Sequence, residues 1–468
     1  MKKLFFIFGI ITIGLMLTFE IWAQEKSPRL ELTVYNQNLA LVKDRRLMPF
    51  KKGLNRVSLK EVASLIDPTS VHFKSISDPE ACSIREQNYE YDLLSGGKLL
   101  QKYVDRKIRV QTKDGKTYEG FLLSFDQGQI ILGSGRESGT INLIHRNDNI
   151  QTILFPVLPE GLITKPTLAW EVMAQKAGGQ TIEVSYLTEG INWQADYVAV
   201  VNNDDTKLDL SGWVSIDNRS GAAYQNAKLK LVAGEIHLAG KKPSLVFGGE
   251  LKTARMGKEG FKEMPFFEYH LYSLPRLVTL KDNQIKQITL LSAPGVAVKK
   301  LYVFDMSGPY GWIIARRKKK INVKLELENR RELGLGMALP KGKVRVYKAD
   351  QEGSLQFVGE DLIEHTPKDE KFRLYVGDAF DLVGERKRVK TERISKRIQD
   401  DTYEIKLRNH KDSDVEILVV EHIPGGREWR ITRTTHDYIN KDAYTIEFTV
   451  DVVKDRETVV TYTVRSRW

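Results

Sequence analysis

Apolar and polar residues alternate at period two along most of the chain, the signature of strands with one buried and one solvated face. Leu30, Leu32 and Val34 alternate with Glu31 and Thr33, and Ile321, Val323, Leu325 and Leu327 with Asn322, Lys324 and Glu326. Ile405 and Leu407, then Ile446, Phe448 and Val450, repeat the pattern, and Thr458–Val464 adds a final β-branched run. Lys52-Gly53, Asp114-Gly115, Pro340-Lys341-Gly342 and Pro424-Gly425-Gly426 supply turns between such runs. Helical periodicity is scarce; the clearest case is Ser95–Tyr103, with Ser95 placed to cap the start. The pattern predicts an all-β, multi-domain protein.

Between Ile191 and Val201 the alternation places Trp193, Ala195, Tyr197, Ala199 and Val201 on one face. The next strand turns Leu208, Leu210, Val214 and Ile216 inward. It leaves Trp213 on the polar face with Asp209, Ser211 and Ser215. Trp193 and Tyr197 read as core anchors. Trp213 is either covered by a loop or neighbouring domain, or belongs to a sugar- or protein-binding surface.

Lys107–Leu132 reads as a compact unit, two strands joined at Asp114-Gly115, a bend at Gly120 and a third strand from Gln129. With Tyr118 and Ser124-Phe125-Asp126 it resembles the first half of the Sm-like, SH3-like small barrels, many of which bind RNA. The organisation expected is a β-domain over 24–103 and 155–240, split by a small barrel at 104–154. A glycine- and charge-rich loop follows over 241–265, and an immunoglobulin-like β-sandwich over 266–468.

The amino terminus changes the address. Met1-Lys2-Lys3 precedes sixteen uncharged residues, Leu4–Phe19, and Ala23 offers a small residue before Gln24. This layout is that of a secretory signal peptide cleaved between Ala23 and Gln24. The run is too short for a spanning helix, which wants about 20 apolar residues, and no comparable segment follows. The exported chain is then expected in the periplasm or outside the cell. Cys82 is the single cysteine, which rules out an intramolecular disulfide.

Net charge is +11; without the two lysines and one glutamate of the first 23 residues it is +10. Two runs concentrate it: Arg316-Arg317-Lys318-Lys319-Lys320, and Arg386–Arg397 with seven basic residues and one acidic. One reading is strand-edge protection by lysine. The other is a surface for an anionic polysaccharide or lipid, the polyanions an exported protein meets. Nucleic acid would find only a sequence-independent attraction here.

Catalytic signals are sparse. The eight histidines are dispersed, no His-Glu-x-x-His, Cys-x-x-Cys or Gly-x-Ser-x-Gly occurs, and nothing implies a metal, nucleotide or other cofactor. Paired carboxylates suffice for glycoside hydrolysis, and Glu189 with Asp196, flanking Trp193, are the candidates for such a pair.

Several separated motifs carry a wider resemblance. They include Tyr35–Val42, Ile66–Val71, Glu86–Leu94, Leu187–Tyr197, Gly212–Gly221, Leu229–Gly234, Val376–Asp381 and Tyr462–Trp468. In this order they resemble the bacterial domain of unknown function 4139 family, some of whose members are labelled mucoidy inhibitors. Departures fall in Lys113–Arg146 and Lys241–Glu263. The resemblance implies a secreted β-protein and a link to the envelope or exopolysaccharide, without an activity. The expected function is non-enzymatic binding of an envelope protein or anionic polysaccharide; the alternatives are a carbohydrate-active hydrolase and, more remotely, a nucleic-acid binder.

Overall fold

A computed structural model describes residues 29–238, 261–306, 316–423 and 428–468. The expected cleavage point at Ala23 and Gln24 lies outside them, as does most of the expected linker. The architecture is nearly all β, arranged in five sheets.

The first sheet has seven strands, in the order Lys262–Phe266, Tyr269–Leu280, Tyr224–Ala233, Leu30–Tyr35, Leu39–Phe50, Gly178–Thr188 and His72–Ser75. Thr167–Ala174 pairs with Gly53–Lys60 on one side and Cys82–Glu90 on the other, making a three-stranded sheet. Residues before and after the small unit therefore share sheets, and that unit is an insertion. Tyr103 closes its base: the hydroxyl donates to the Val157 carbonyl (2.6 Å) and accepts the Val157 N–H (3.0 Å).

The insertion begins with the helix Gly96–Lys102, capped by Ser95, whose hydroxyl accepts the Lys98 N–H (3.3 Å). Five strands follow, and the fifth, Ile150–Leu154, returns to pair with the first, Lys107–Thr112. Ile141–His145 and Ile150–Leu154 remain the two edges, so the expected closed barrel is an open five-stranded sheet. Its core is made by Leu100, Tyr103, Ile108, Val110, Leu122, Ile130, Leu132 and Ile144.

A second five-stranded sheet runs Gln284–Ala297, Lys207–Asn218, Ile191–Val201, Gly342–Ala349, Leu355–Ile363. Trp193, Ala195, Tyr197, Ala199 and Val201 all face inward, as the alternation predicts. The Trp193 indole donates to the Val232 carbonyl (3.2 Å) and the Tyr197 hydroxyl to that of Pro340 (2.8 Å), so both anchors are satisfied at their polar ends. Strands from both sides of the expected 241–265 boundary join here and in the seven-stranded sheet. Lys262–Phe266 is itself a strand. The boundary therefore does not divide the sheets: composition marks where the chain loops out, not which sheet it re-enters.

The remaining strands form one sheet of nine, where two stacked sheets were expected. It curls over, because Phe448 from near one end packs on Tyr462 from near the other, their ring centroids 5.5 Å apart. The central strand Arg316–Glu328 serves two cores. Ile321 is buried with Phe304, Leu382, Ile405 and Phe448, whereas Leu325 and Leu327 join the larger core of Trp193, Tyr197 and Tyr272. Register shifts on either side of Asn322–Val323 make the change of face possible.

Candidate anion-binding surface

The two basic runs are neighbours. Arg316–Lys320 pairs antiparallel with Val383–Lys387, with Arg316 opposite Lys387 and Lys318 opposite Glu385. Arg316–Glu328 stands fifth of nine strands, so edge protection does not account for its lysines. The run is also not one uniform face. Lys318 and Lys320 are exposed, whereas Lys319 is half-buried and donates to the Asp305 carbonyl (2.8 Å). Lys320 stacks over the exposed Phe380 ring, 5.2 Å from its centroid. Side chains of Arg316 and Arg317 are outside the described set.

Register extends this surface across three further strands. Lys387 faces Glu404, Lys390 faces Thr402, Asp400 faces Arg465, and Arg465 faces Arg430. These positions share parity with Thr402 and Lys406, opposite to the core residues Tyr403, Ile405 and Leu407, and so lie on the outer face. Arg465 grips Asp400 with two hydrogen bonds of 2.7 Å. That bond, with Arg433 and Arg430 nearby, holds the Asp400 carboxyl below the ordinary carboxylate range. Three guanidiniums thus surround one carboxylate. Arg430 and Arg433 were not singled out in the sequence, since three residues in seven carry no run of charge; the register alone assembles them.

Several of the other cations are neutralised. Arg408 meets Glu385 (3.4 Å) and Glu457 (3.9 Å), Lys406 meets Glu404 (3.6 Å), and Lys390 meets Glu392 (2.5 Å). Lys318, Lys387, Arg430 and Arg433 have no carboxylate within ion-pair distance among the described residues. They are the positions where the face presents unmatched charge.

Arg386 corrects the surface reading of its run. It is 2% exposed and donates through Nε to both oxygens of Glu421 (2.8 and 3.1 Å), itself 1% exposed. Its guanidinium carbon lies 3.9 Å from the Tyr403 ring centroid, and the Tyr462 hydroxyl donates to Glu421. Burial is the largest influence and opposes the charge on Arg386, but Glu421, Tyr462 and Tyr403 together outweigh it and hold the proton more tightly than usual. Burial raises the Glu421 carboxyl despite Arg386. Arg386 belongs to the core.

The other candidates separate. Glu189 sits in the turn before Ile191–Val201 and Asp196 lies along that strand; residues 191 to 196 alone span roughly 16 Å at about 3.3 Å per residue. Retaining or inverting hydrolysis asks for roughly 5 to 10 Å. The pair is therefore not a catalytic dyad. Asp196 instead accepts from the Ser215 hydroxyl (2.6 Å), which accepts from the Gln287 amide (3.1 Å). A hollow of about 390 Å³ beside it contains Asp217 rather than Glu189, and Asp217 is paired with Arg219 (3.0 Å). Trp213 is 41% exposed, opposite Asp196 and Thr289, and is not covered by a loop or domain among the described residues. It lies in the five-stranded sheet and the lysines in the nine-stranded one, two surfaces rather than one site. Among the described residues, no three His, Cys, Asp or Glu side chains converge as a metal site, and no helix is long and apolar enough to cross a membrane.

The family model for the domain of unknown function DUF4139 matches residues 182–468, more than half the chain. The protein belongs to the DUF4139 family. The DUF4139 region takes in the whole nine-stranded sheet and begins inside Gly178–Thr188, a strand paired with Leu39–Phe50 upstream of it. An LSM domain model matches residues 98–128, covering most of the helix and first two strands of the inserted sheet. No curated protein matches the chain.

Proposed function

We propose that this DUF4139 protein is an exported, non-enzymatic binding module whose nine-stranded sheet receives an anionic polysaccharide of the envelope. The observation that carries this reading is the register that aligns Arg316–Lys320 with Val383–Lys387 and continues to Arg430, Arg433 and Arg465. A sheet face spaces its cations regularly, about 4.8 Å between strands and near 7 Å along each, which suits a polymer carrying repeated charges better than a single small anion. Export rests on the first 23 residues, and it selects polysaccharide over nucleic acid.

The test is binding to polygalacturonate, with neutral dextran, RNA and envelope extract as the other arms. Lys318→Ser, Lys387→Ser, Arg430→Ser and Arg433→Ser together are expected to weaken polygalacturonate binding by at least about tenfold, about 1.4 kcal/mol. Unchanged binding in that variant, or equal retention on dextran, contradicts the proposal. Saturable binding to RNA or to an extracted protein alone would favour the corresponding alternative. For export, mass spectrometry of protein recovered outside the cytoplasm is expected to find Gln24 as the mature amino terminus; an intact Met1 there would refute cleavage.

A further inference from the structure

A cleft lies where the seven-stranded and three-stranded sheets meet. It has a volume of about 550 Å³, within the range of small-molecule pockets. Its lining includes Leu30, Leu93 and Ala223 at accessible positions, whereas Val62, Tyr186 and Tyr224 are almost wholly buried. The same lining holds the cations Arg29, Arg46, Lys60 and Lys165, against only two carboxylates, Asp44 and Glu61.

The carboxylates do not use up that charge. Asp44 is 5% exposed and is gripped by Arg46 through Nε (3.0 and 3.1 Å) and Nη2 (2.7 Å), leaving the Arg46 Nη1 group uncommitted to it. Arg29 Nε lies 3.5 Å from the same carboxylate. Glu61 is taken by Lys165. Lys60 has no carboxylate within ion-pair distance among the described residues. Two guanidiniums thus share one buried carboxylate, and Lys60 faces the same cleft unmatched.

From this geometry we infer that the cleft binds a small amphiphilic anion, a carboxylate or phosphate head on a short apolar body. Arg29, Arg46 and Lys60 would take the head through charge-assisted hydrogen bonds. Leu30, Leu93 and Ala223, the accessible apolar residues of the lining, would cover the body. The site uses different residues from the polysaccharide face and stands or falls separately.

Calorimetry with the full mature chain, at fixed ionic strength, tests it with decanoate, decyl phosphate, inorganic phosphate and decyltrimethylammonium. Saturable binding of decanoate or decyl phosphate is expected, at least about tenfold tighter than inorganic phosphate, with none for the cation; the preferred head group identifies its chemistry. Arg29→Ala with Lys60→Ala should weaken binding about tenfold or more. Ala223→Trp, at an exposed position on the cleft wall, should abolish it while polygalacturonate binding and the unfolding midpoint stay unchanged. Absence of saturable binding by either amphiphile, equal affinity for the cation, or binding that survives Ala223→Trp would overturn the inference.

Discussion

At the residue scale, a buried ion pair and a half-buried histidine make the strongest demands. Glu421 and Arg386 are each almost wholly desolvated, so removing one leaves the other charge uncompensated. Glu421→Ala is expected to destabilise the protein by roughly 3–5 kcal/mol, measured by urea unfolding. Arg386→Met with Glu421→Leu should recover most of that loss; a double variant as unstable as the single one would show that packing, not charge, is at stake. His365 is the second. Its Nδ1 accepts the Lys341 N–H (3.1 Å), which holds the ring neutral, and its Nε2 pairs with the Asn36 side-chain amide (3.3 Å). Burial first, then the Lys341 charge and His270, push its pKa down to about 4, with Glu235 partly opposing. The unfolded chain therefore takes up this proton at a higher pH than the folded one. Stability should fall as pH drops from about 6.5 towards about 4, by at most about 3 kcal/mol. His365→Gln should flatten that part of the stability profile; an unaltered acid slope would show that other groups carry it.

Neither group was legible in the sequence, because each depends on a partner far along the chain: 35 residues separate Arg386 from Glu421, and 329 separate Asn36 from His365. Arg386 stands among six other cations and reads as surface; only its inward parity on the strand, shared with Leu382, marks it as core. Trp213 is the opposite case. Period two alone placed it on the polar face, and there it is.

At the scale of elements, alternation located the strands from Leu30 to the final Thr458–Val464 run, and Ser95 marked the helix Gly96–Lys102. Local signals reached no further, since pairing is decided by contacts between distant strands. Hence the inserted sheet resembles a barrel in its first three strands but stays open between Ile141–His145 and Ile150–Leu154. Hence too Glu189, in the turn, and Asp196, along the strand that follows, lie apart though close in number. Gly384 shows how tightly the curled sheet is set. A Cβ built there would stand 2.2 Å from two carbons of the Phe304 ring, which is fully buried. Gly384→Ala should cost about 1–3 kcal/mol by overpacking, read from the denaturant midpoint, and Phe304→Leu in the same chain should relieve part of it. A neutral Gly384→Ala would mean that the ring has room to withdraw.

For the whole molecule, the sheets interlock so that no cut near residue 241–265 would free a domain. Tyr224–Ala233 pairs with Tyr269–Leu280, and Ile191–Val201 with Gly342–Ala349. The long strands Arg316–Glu328 and Lys371–Ser395 then carry the shared core into the nine-stranded sheet, where the unmatched cations gather. A rigid platform with distributed charge should behave as a polyelectrolyte partner: association driven by counterion release and screened by salt.

The most direct measurement is the equilibrium affinity for polygalacturonate titrated against salt, for the wild-type chain and for the variant lacking Lys318, Lys387, Arg430 and Arg433. Affinity should fall steeply as salt rises through about 0.1 M, where the Debye length is about 10 Å, and the variant should show both weaker binding and a shallower salt slope. A wild-type affinity indifferent to salt, or a variant with the same slope, would contradict the assignment of this face to a polyanion.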